Sequence, residues 1–170
     1  MPGRVLTALT LAVVVIGVAV VLKTRATPGP AAPKANLAAV LEDVSGKKVD
    51  LSSFAGKPLV INLWATWCGP CKLETPQLVA LYDKYKARGL NLVGISTDDK
   101  PDAIRGFADE FKVQYPMLVG LGHEEFVVAL GYDDTLPFSI LIARDGTIAG
   151  QITGLETTAD WEKRIEALLK

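Results

Sequence analysis

The chain has 170 residues, 18 basic and 19 acidic, and a formal net charge of −1. That length suits one domain with some chain left over, and the near-neutral balance argues against a nucleic-acid partner, which calls for a basic excess or stripe. At 49% hydrophobic and 22% charged the chain is not disordered. Its two cysteines and one histidine fill neither a four-ligand structural zinc site nor a disulfide-dense scaffold, so no metal is expected.

Val5 to Leu22 carries no charged residue and is almost wholly apolar. As a helix it would measure about 27 Å, just enough for a hydrocarbon core of about 30 Å. A cleaved signal peptide has a shorter core of about 7–15 residues and a small-x-small site, whereas here Lys23 and Arg25 follow directly. An uncleaved N-terminal anchor over 1–25 is therefore expected, with a signal sequence as the alternative. Orientation is weakly specified: Arg4 and the terminal amine precede the span and Lys23 and Arg25 follow it, a balance that does not favour an exported C-terminal part. Thr27-Pro-Gly-Pro-Ala-Ala-Pro33 cannot continue a helix and favours extended polyproline II. Residues 26–36 read as a Pro/Ala-rich tether and 37–170 as one folded domain.

Val40 to Ser53 predicts a short hairpin with its turn at Ser45-Gly46-Lys47 and alternating Val44, Val49 and Leu51. Leu59 to Trp64 is a continuous apolar run, as expected of a strand covered on both faces. A helix follows from Pro70 to about Arg88, with Leu78, Leu81, Tyr82 and Tyr85 on one face, and Gly89 stops it. Leu90 to Ser96 is a second buried strand. Asp102 to Phe111 is helical, with Ile104, Phe107, Ala108 and Phe111 inward. Pro116 to Val119 is a brief strand, Glu124 to Leu130 a helix, and Phe138 to Ile142 another strand. Asp145-Gly146 turns the chain so that Thr147 to Thr153 pairs back. Thr158 to Leu169 closes as a helix with Trp161, Ile165, Leu168 and Leu169 inward. Alternating strands and helices give a parallel portion and the late hairpin an antiparallel one. The fold class is α/β, a mixed central sheet flanked by helices.

The only cysteines, Cys68 and Cys71, lie after a buried strand and at the opening of a helix. Backbone N–H groups are unpaired there and the helix dipole is positive, so a thiolate is stabilised and its pKa falls. Cys68 at the helix mouth is expected to be the exposed, attacking sulfur, and Cys71, one turn in, the shielded one. Cys68 attacks a disulfide to form a mixed disulfide; Cys71 then attacks Cys68 and releases the reduced substrate. Gly69 lets the chain turn and Pro70 suits a first helical turn. Other readings are a metal half-site, which needs a second subunit, and two buried structural thiols.

The run Trp64-Ala-Thr-Trp-Cys68-Gly-Pro-Cys71-Lys-Leu-Glu74-Thr-Pro76 resembles the active-site segment of the thioredoxin superfamily. More narrowly it resembles the TlpA/ResA-like membrane-anchored thiol–disulfide reductases, over about residues 37–170. The resemblance implies a thioredoxin-like fold with an N-terminal β-hairpin extension and an N-terminal membrane helix. It implies a cis bond at Leu136–Pro137, where the backbone of Leu136 can pair with an extended substrate and Pro137 has no N–H to obstruct Cys68. Glu74, one turn after Cys71, would tune the cysteines or take a proton from Cys71; the plainer reading is a solvated glutamate in an early helical turn. Asn62 stands where thioredoxin proper has a buried aspartate. An amide cannot exchange protons, so Asn62 is expected only to satisfy backbone groups. Trp67 is read as an apolar docking surface beside Cys68, Trp64 as core, and His123 as a surface helix residue. Pro76 is expected to kink the first helix.

The leading expectation is a membrane-anchored reductase working outside the cytoplasm, in periplasm or extracytoplasmic space. It needs no cofactor beyond the Cys68–Cys71 disulfide. Gly69-Pro70 between the cysteines is as in reducing thioredoxins, near about −270 mV against about −120 mV for an oxidising relative. The resemblance implies client proteins bearing disulfides, such as apocytochrome c or the copper site of an oxidase, and a membrane electron donor. Two alternatives are a tethered copper- or client-binding assembly factor without turnover, and a thiol peroxidase. The latter wants a threonine three residues before its reactive cysteine, where this chain has Ala65.

Overall fold

Six consecutive buried residues, Leu59–Trp64, form β3, the central strand of a five-stranded sheet in the computed structural model, which describes residues 32–170. The first hydrophobic segment, with the anchor or signal sequence and most of the tether expected there, lies outside the described residues. Among those described, no helix is long and apolar enough to cross a membrane.

The sheet order is β5-β4-β3-β6-β7, with β4 at Asn91–Ser96, β5 at Met117–Val119, β6 at Phe138–Ile142 and β7 at Ile148–Thr153. β3, β4 and β5 run parallel, and β6 and β7 are antiparallel additions. This is the mixed sheet that the strand–helix alternation followed by a hairpin demands. The helices are α1 (Gly69–Tyr85), α2 (Pro101–Phe111), α3 (Glu124–Ala129) and α4 (Thr158–Leu168).

The two-residue period of β3 decides what each side chain meets. Leu59, Ile61 and Leu63 enter a core with Leu41, Leu51 and Val127. Val60 and Trp64 enter the opposite core with Leu78, Leu81 and Tyr85 of α1, Ile104 and Phe107 of α2, and Trp161 and Ile165 of α4. Asn62 shares the face of Val60 and Trp64, so the alternation turns its amide toward the α1 layer. Trp64 lies 4.2 Å, centroid to centroid, from Phe107, which fits the expected core role.

Several elements differ from expectation in extent. The hairpin has two three-residue strands, β1 (Val40–Glu42) and β2 (Lys48–Asp50). Its turn opens at Asp43, whose carboxylate accepts from the Ser45 and Lys47 backbones; that places Val44 in the turn. Leu51–Phe54 is a 3-10 turn capped by Asp50. The first helix runs through Pro76 and tightens to a 3-10 turn at Lys86–Arg88 before Gly89, which adopts φ 97°. His123 is a half-buried residue just ahead of α3, not a residue within it.

Both sheet edges are partly covered, as exposed strand edges require. Asp43 bridges to Leu118 of β5, and Arg105 of α2 donates to the Val44 carbonyl. At the other edge Lys34 bridges to Thr147; Ala35 N–H donates to Gly146 O at 2.9 Å and Ile148 N–H to Pro33 O at 2.8 Å. Pairing therefore begins at Pro33, ahead of the expected domain boundary at residue 37. Alternation gave no hint of it, because proline and alanine carry little strand preference.

Candidate active site

β3 ends at Trp64, and four residues, Ala65 to Cys68, separate it from α1, which opens within the sequence Cys68-Gly69-Pro70-Cys71. Cys68 is the N-cap: its backbone is extended, at φ −76° and ψ 105°, and its Sγ accepts from the Cys71 backbone N–H at 3.1 Å. Proline in the first turn removes no needed donor. The sulfur thus occupies the place where a helix offers its unpaired N–H groups and the positive end of its dipole. Cys68 and Cys71 form a disulfide, with an S–S distance of 2.06 Å and a Cα–Cα distance of 5.2 Å.

Exposure separates the two sulfurs less than expected. Cys68 is 4% exposed and Cys71 1%. In the oxidised protein the S–S bond ties the outer sulfur to one a full turn inside the helix, so both count as core. What distinguishes Cys68 is its capping position. Trp67, the residue before it, is 66% exposed. The Leu136–Pro137 peptide bond is cis. Leu136 is half-buried and touches both cores, and the Pro137 carbonyl accepts from Gly154 N–H at 2.8 Å.

Glu74 is not the solvated glutamate of the plainer reading: it is 1% exposed. Three residues after Cys71 on α1, it lies on the same helical face and points at the sheet. Asn62 Nδ2 donates to its Oε2 at 3.0 Å and to Ser139 Oγ at 2.9 Å. Asn62 and Ser139 are direct cross-strand partners on β3 and β6, which is why one amide reaches both. Asn62 therefore serves two side chains and not backbone groups. Burial pushes the Glu74 carboxyl up to about 7; the Asn62 amide and the Trp161 indole oppose the rise and the Glu156 charge adds to it. Glu74 Oε1 and Trp161 Nε1, both buried, close no hydrogen bond. Tyr115, buried nearby, has its phenol held neutral well above the ordinary range, by burial first and by Glu74 second.

The turn before Cys68 is fastened to the loop after β4. Asp99 accepts from the Thr66 backbone N–H at 2.7 Å, from the Thr66 hydroxyl, and from the Ser96 hydroxyl at 2.6 Å. Asp98 accepts the Trp67 indole N–H at 3.0 and 3.2 Å. Sequence reasoning missed Asp98, Asp99, Ser96, Thr66, Ser139 and Tyr115. A signal existed for the aspartates: two parallel neighbours bring the residues after their C-terminal ends together, and both strands were legible.

A capping cysteine, its partner one turn inward and a strand–motif–helix setting make a dithiol–disulfide couple. Residues 27–169 match the Redoxin family. The chain belongs to the redoxin family. Within it, the chain is 32% identical over 129 residues to a thiol-disulfide oxidoreductase ResA of Bacillus thuringiensis subsp. konkukian, covering 76% of this chain and 73% of that one. It is 30% identical over 146 residues to ResA of Geobacillus kaustophilus, covering 86% and 80%. A thiol:disulfide interchange protein of the thioredoxin family from Chlorobium tepidum superposes with a TM-score of 0.72 at 26% identity, over 86% of this chain and 100% of that one. A secreted Mycobacterium tuberculosis disulfide oxidoreductase homologous to DsbE gives a TM-score of 0.70 at 23% identity, over 78% and 97%; at that identity it speaks for the fold alone. This redoxin is a thioredoxin-like thiol–disulfide oxidoreductase, and its redox-active pair is Cys68–Cys71.

Proposed function

We propose that this oxidoreductase reduces disulfides of client proteins outside the cytoplasm, with Cys68 attacking and Cys71 resolving. The capping of α1 by Cys68 Sγ, at 3.1 Å from Cys71 N, carries the reading, because amides aimed at a sulfur favour its thiolate. The Cys68 thiolate attacks one sulfur of a client disulfide; an S–S bond forms to the client and a client thiolate leaves. Cys71 then gives its proton to the Glu74 carboxylate and attacks Cys68, forming the intramolecular disulfide and expelling the second client thiolate. Two electrons pass from the protein dithiol to the client, and a dithiol donor at the membrane restores the couple.

Glu74 is suited to the proton step by its carboxyl midpoint of about 7, near the working pH at which a general base is most effective. The exposed Trp67 gives the client an apolar seat, and the Leu136–Pro137 loop gives an extended segment backbone to pair with. The resemblance of the Trp64–Pro76 segment to the TlpA/ResA-like reductases supports c-type cytochrome or copper-oxidase apoproteins as clients. It also supports anchorage by the segment from Val5 to Leu22.

The test is trapping in membranes with Cys71→Ser. Covalent client adducts that dissolve with reductant and vanish in Cys68→Ser are expected. Absence of adducts, together with failure of the purified wild-type protein to reduce a model disulfide, would overturn the reading.

A further inference from the structure

We propose that Asp99 is a positioning residue for the redox pair: through Thr66 it fixes the turn that sets Cys68 at the mouth of α1. The proposal rests on Cys68 being the attacking sulfur. Trp64, the last residue of β3, lies beside Ser96, the last of the parallel β4. The Thr97 N–H donates to the Trp64 carbonyl at 3.0 Å, so the two chains leave the sheet together. Asp99 is 9% exposed, and the hydrogen bonds its carboxylate accepts come from Thr66 and Ser96. Its own N–H faces Ser96 Oγ at 3.3 Å. Asp98 holds the indole of the next residue, Trp67. Both residues between Ala65 and Cys68 are thereby held from one side.

Cys68 itself reaches back only by its N–H to the Ala65 carbonyl, at 3.1 Å. On its N-terminal side Cys68 is therefore positioned by the turn that Asp99 anchors. Stabilisation of a charge at a helix end falls off within the first turn, so a small displacement of that turn weakens the hold of the amides on the thiolate. A buried carboxylate is costly unless its oxygens are hydrogen-bonded. Here two of the three partner groups belong to Thr66, two residues before the reactive sulfur. An apolar side chain could fill the space but could not accept the Thr66 N–H.

The experiment follows the pH profile of Cys68 alkylation by iodoacetamide in the reduced, full-length protein, with the glutathione redox equilibrium measured beside it. Asp99→Ala is expected to raise the midpoint of the profile toward the free-thiol value of about 8.5 and to slow alkylation at pH 7 at least about threefold. Its equilibrium with glutathione should move toward the disulfide by about three- to tenfold, or about 15–30 mV for a two-electron couple. Asp99→Asn keeps an oxygen for the Thr66 N–H and should restore both quantities to within about twofold. An Asp99→Ala profile that stays in place overturns the proposal. So does an Asp99→Asn profile that moves downward, since that would make the charge, and not the anchorage, decisive. Should Asp99→Ala fail to fold by circular dichroism, Thr66→Val removes the hydroxyl alone and must move the midpoint in the same direction; an unmoved midpoint there also overturns it. A wild-type Cys68 that alkylates like a free thiol at every pH removes the attacking-sulfur reading itself, and this proposal with it.

Discussion

Replacing Glu74 by glutamine should remove a specific pH dependence from the stability of the oxidised protein. The Glu74 carboxyl is raised from the ordinary 4.5 to about 7, chiefly by burial. Its folded midpoint lies above its unfolded one, so between those pH values the folded protein holds a proton that the unfolded chain has released. Stability is then full below about pH 4.5, falls as pH rises, and levels off above about pH 7. At about 1.4 kcal/mol per pH unit, the gap between the midpoints amounts to about 3 kcal/mol. Urea unfolding of wild-type and Glu74→Gln protein, both with the disulfide intact, measures it at pH 4.5 and pH 8. Glutamine keeps an oxygen for the Asn62 amide and never ionises. Any packing penalty it brings is the same at both pH values, as are the contributions of the hydrogen-bonded surface carboxylates Asp43, Asp50 and Asp145, whose pKa values are lowered. The stability of Glu74→Gln relative to wild type should rise by about 3 kcal/mol from the lower pH to the higher. A relative stability unchanged across that range refutes the assignment of a buried, neutral carboxyl.

Two further outcomes test the surrounding packing. Asn62→Leu deletes the donor that opposes the rise, so the Glu74 midpoint, followed by NMR of its carboxyl carbon, should move above 7; a downward move contradicts the geometry. Gly94 lies beside Asn62 on β4. A Cβ there would come within 3.2 Å of Trp64 Nε1 and 3.3 Å of Tyr115 Cε2, and closer still to Met117 Sδ. Gly94→Ala should cost about 1–3 kcal/mol in urea unfolding, the usual penalty of overpacking. Wild-type stability in that variant would mean the space above Gly94 is open.

Much of the fold was legible because its signals are local. β3 and β4 are apolar runs, α1 announces itself by the spacing of Leu78, Leu81 and Tyr85, and the Asp145-Gly146 turn fixes the late hairpin. The cysteine pair was legible for the same reason, since strand, turn and helix mouth are consecutive in sequence. What escaped depends on register. That Asn62 meets Ser139 requires knowing that β6 pairs antiparallel to β3 with those two residues opposite each other. That Asp99 meets Thr66 requires β4 to be the parallel neighbour of β3. Glu74 was found by spacing from Cys71, but its burial comes from a sheet face and a C-terminal helix that no local pattern joins. The Pro33–Ala35 pairing was hidden by composition, which reads as tether.

The backbone bonds at Pro33 and Ala35 sit level with Gly146–Ile148, in the row where Leu59, Ile142 and Ile148 stand side by side. That row is the foot of β3, and Cys68 follows its head, a strand's length of about 20 Å away. The Pro33–Ala35 pairing therefore lies at the pole opposite the sulfurs. Strain on that pairing would be borne by an edge ladder a strand's length from the reactive pole.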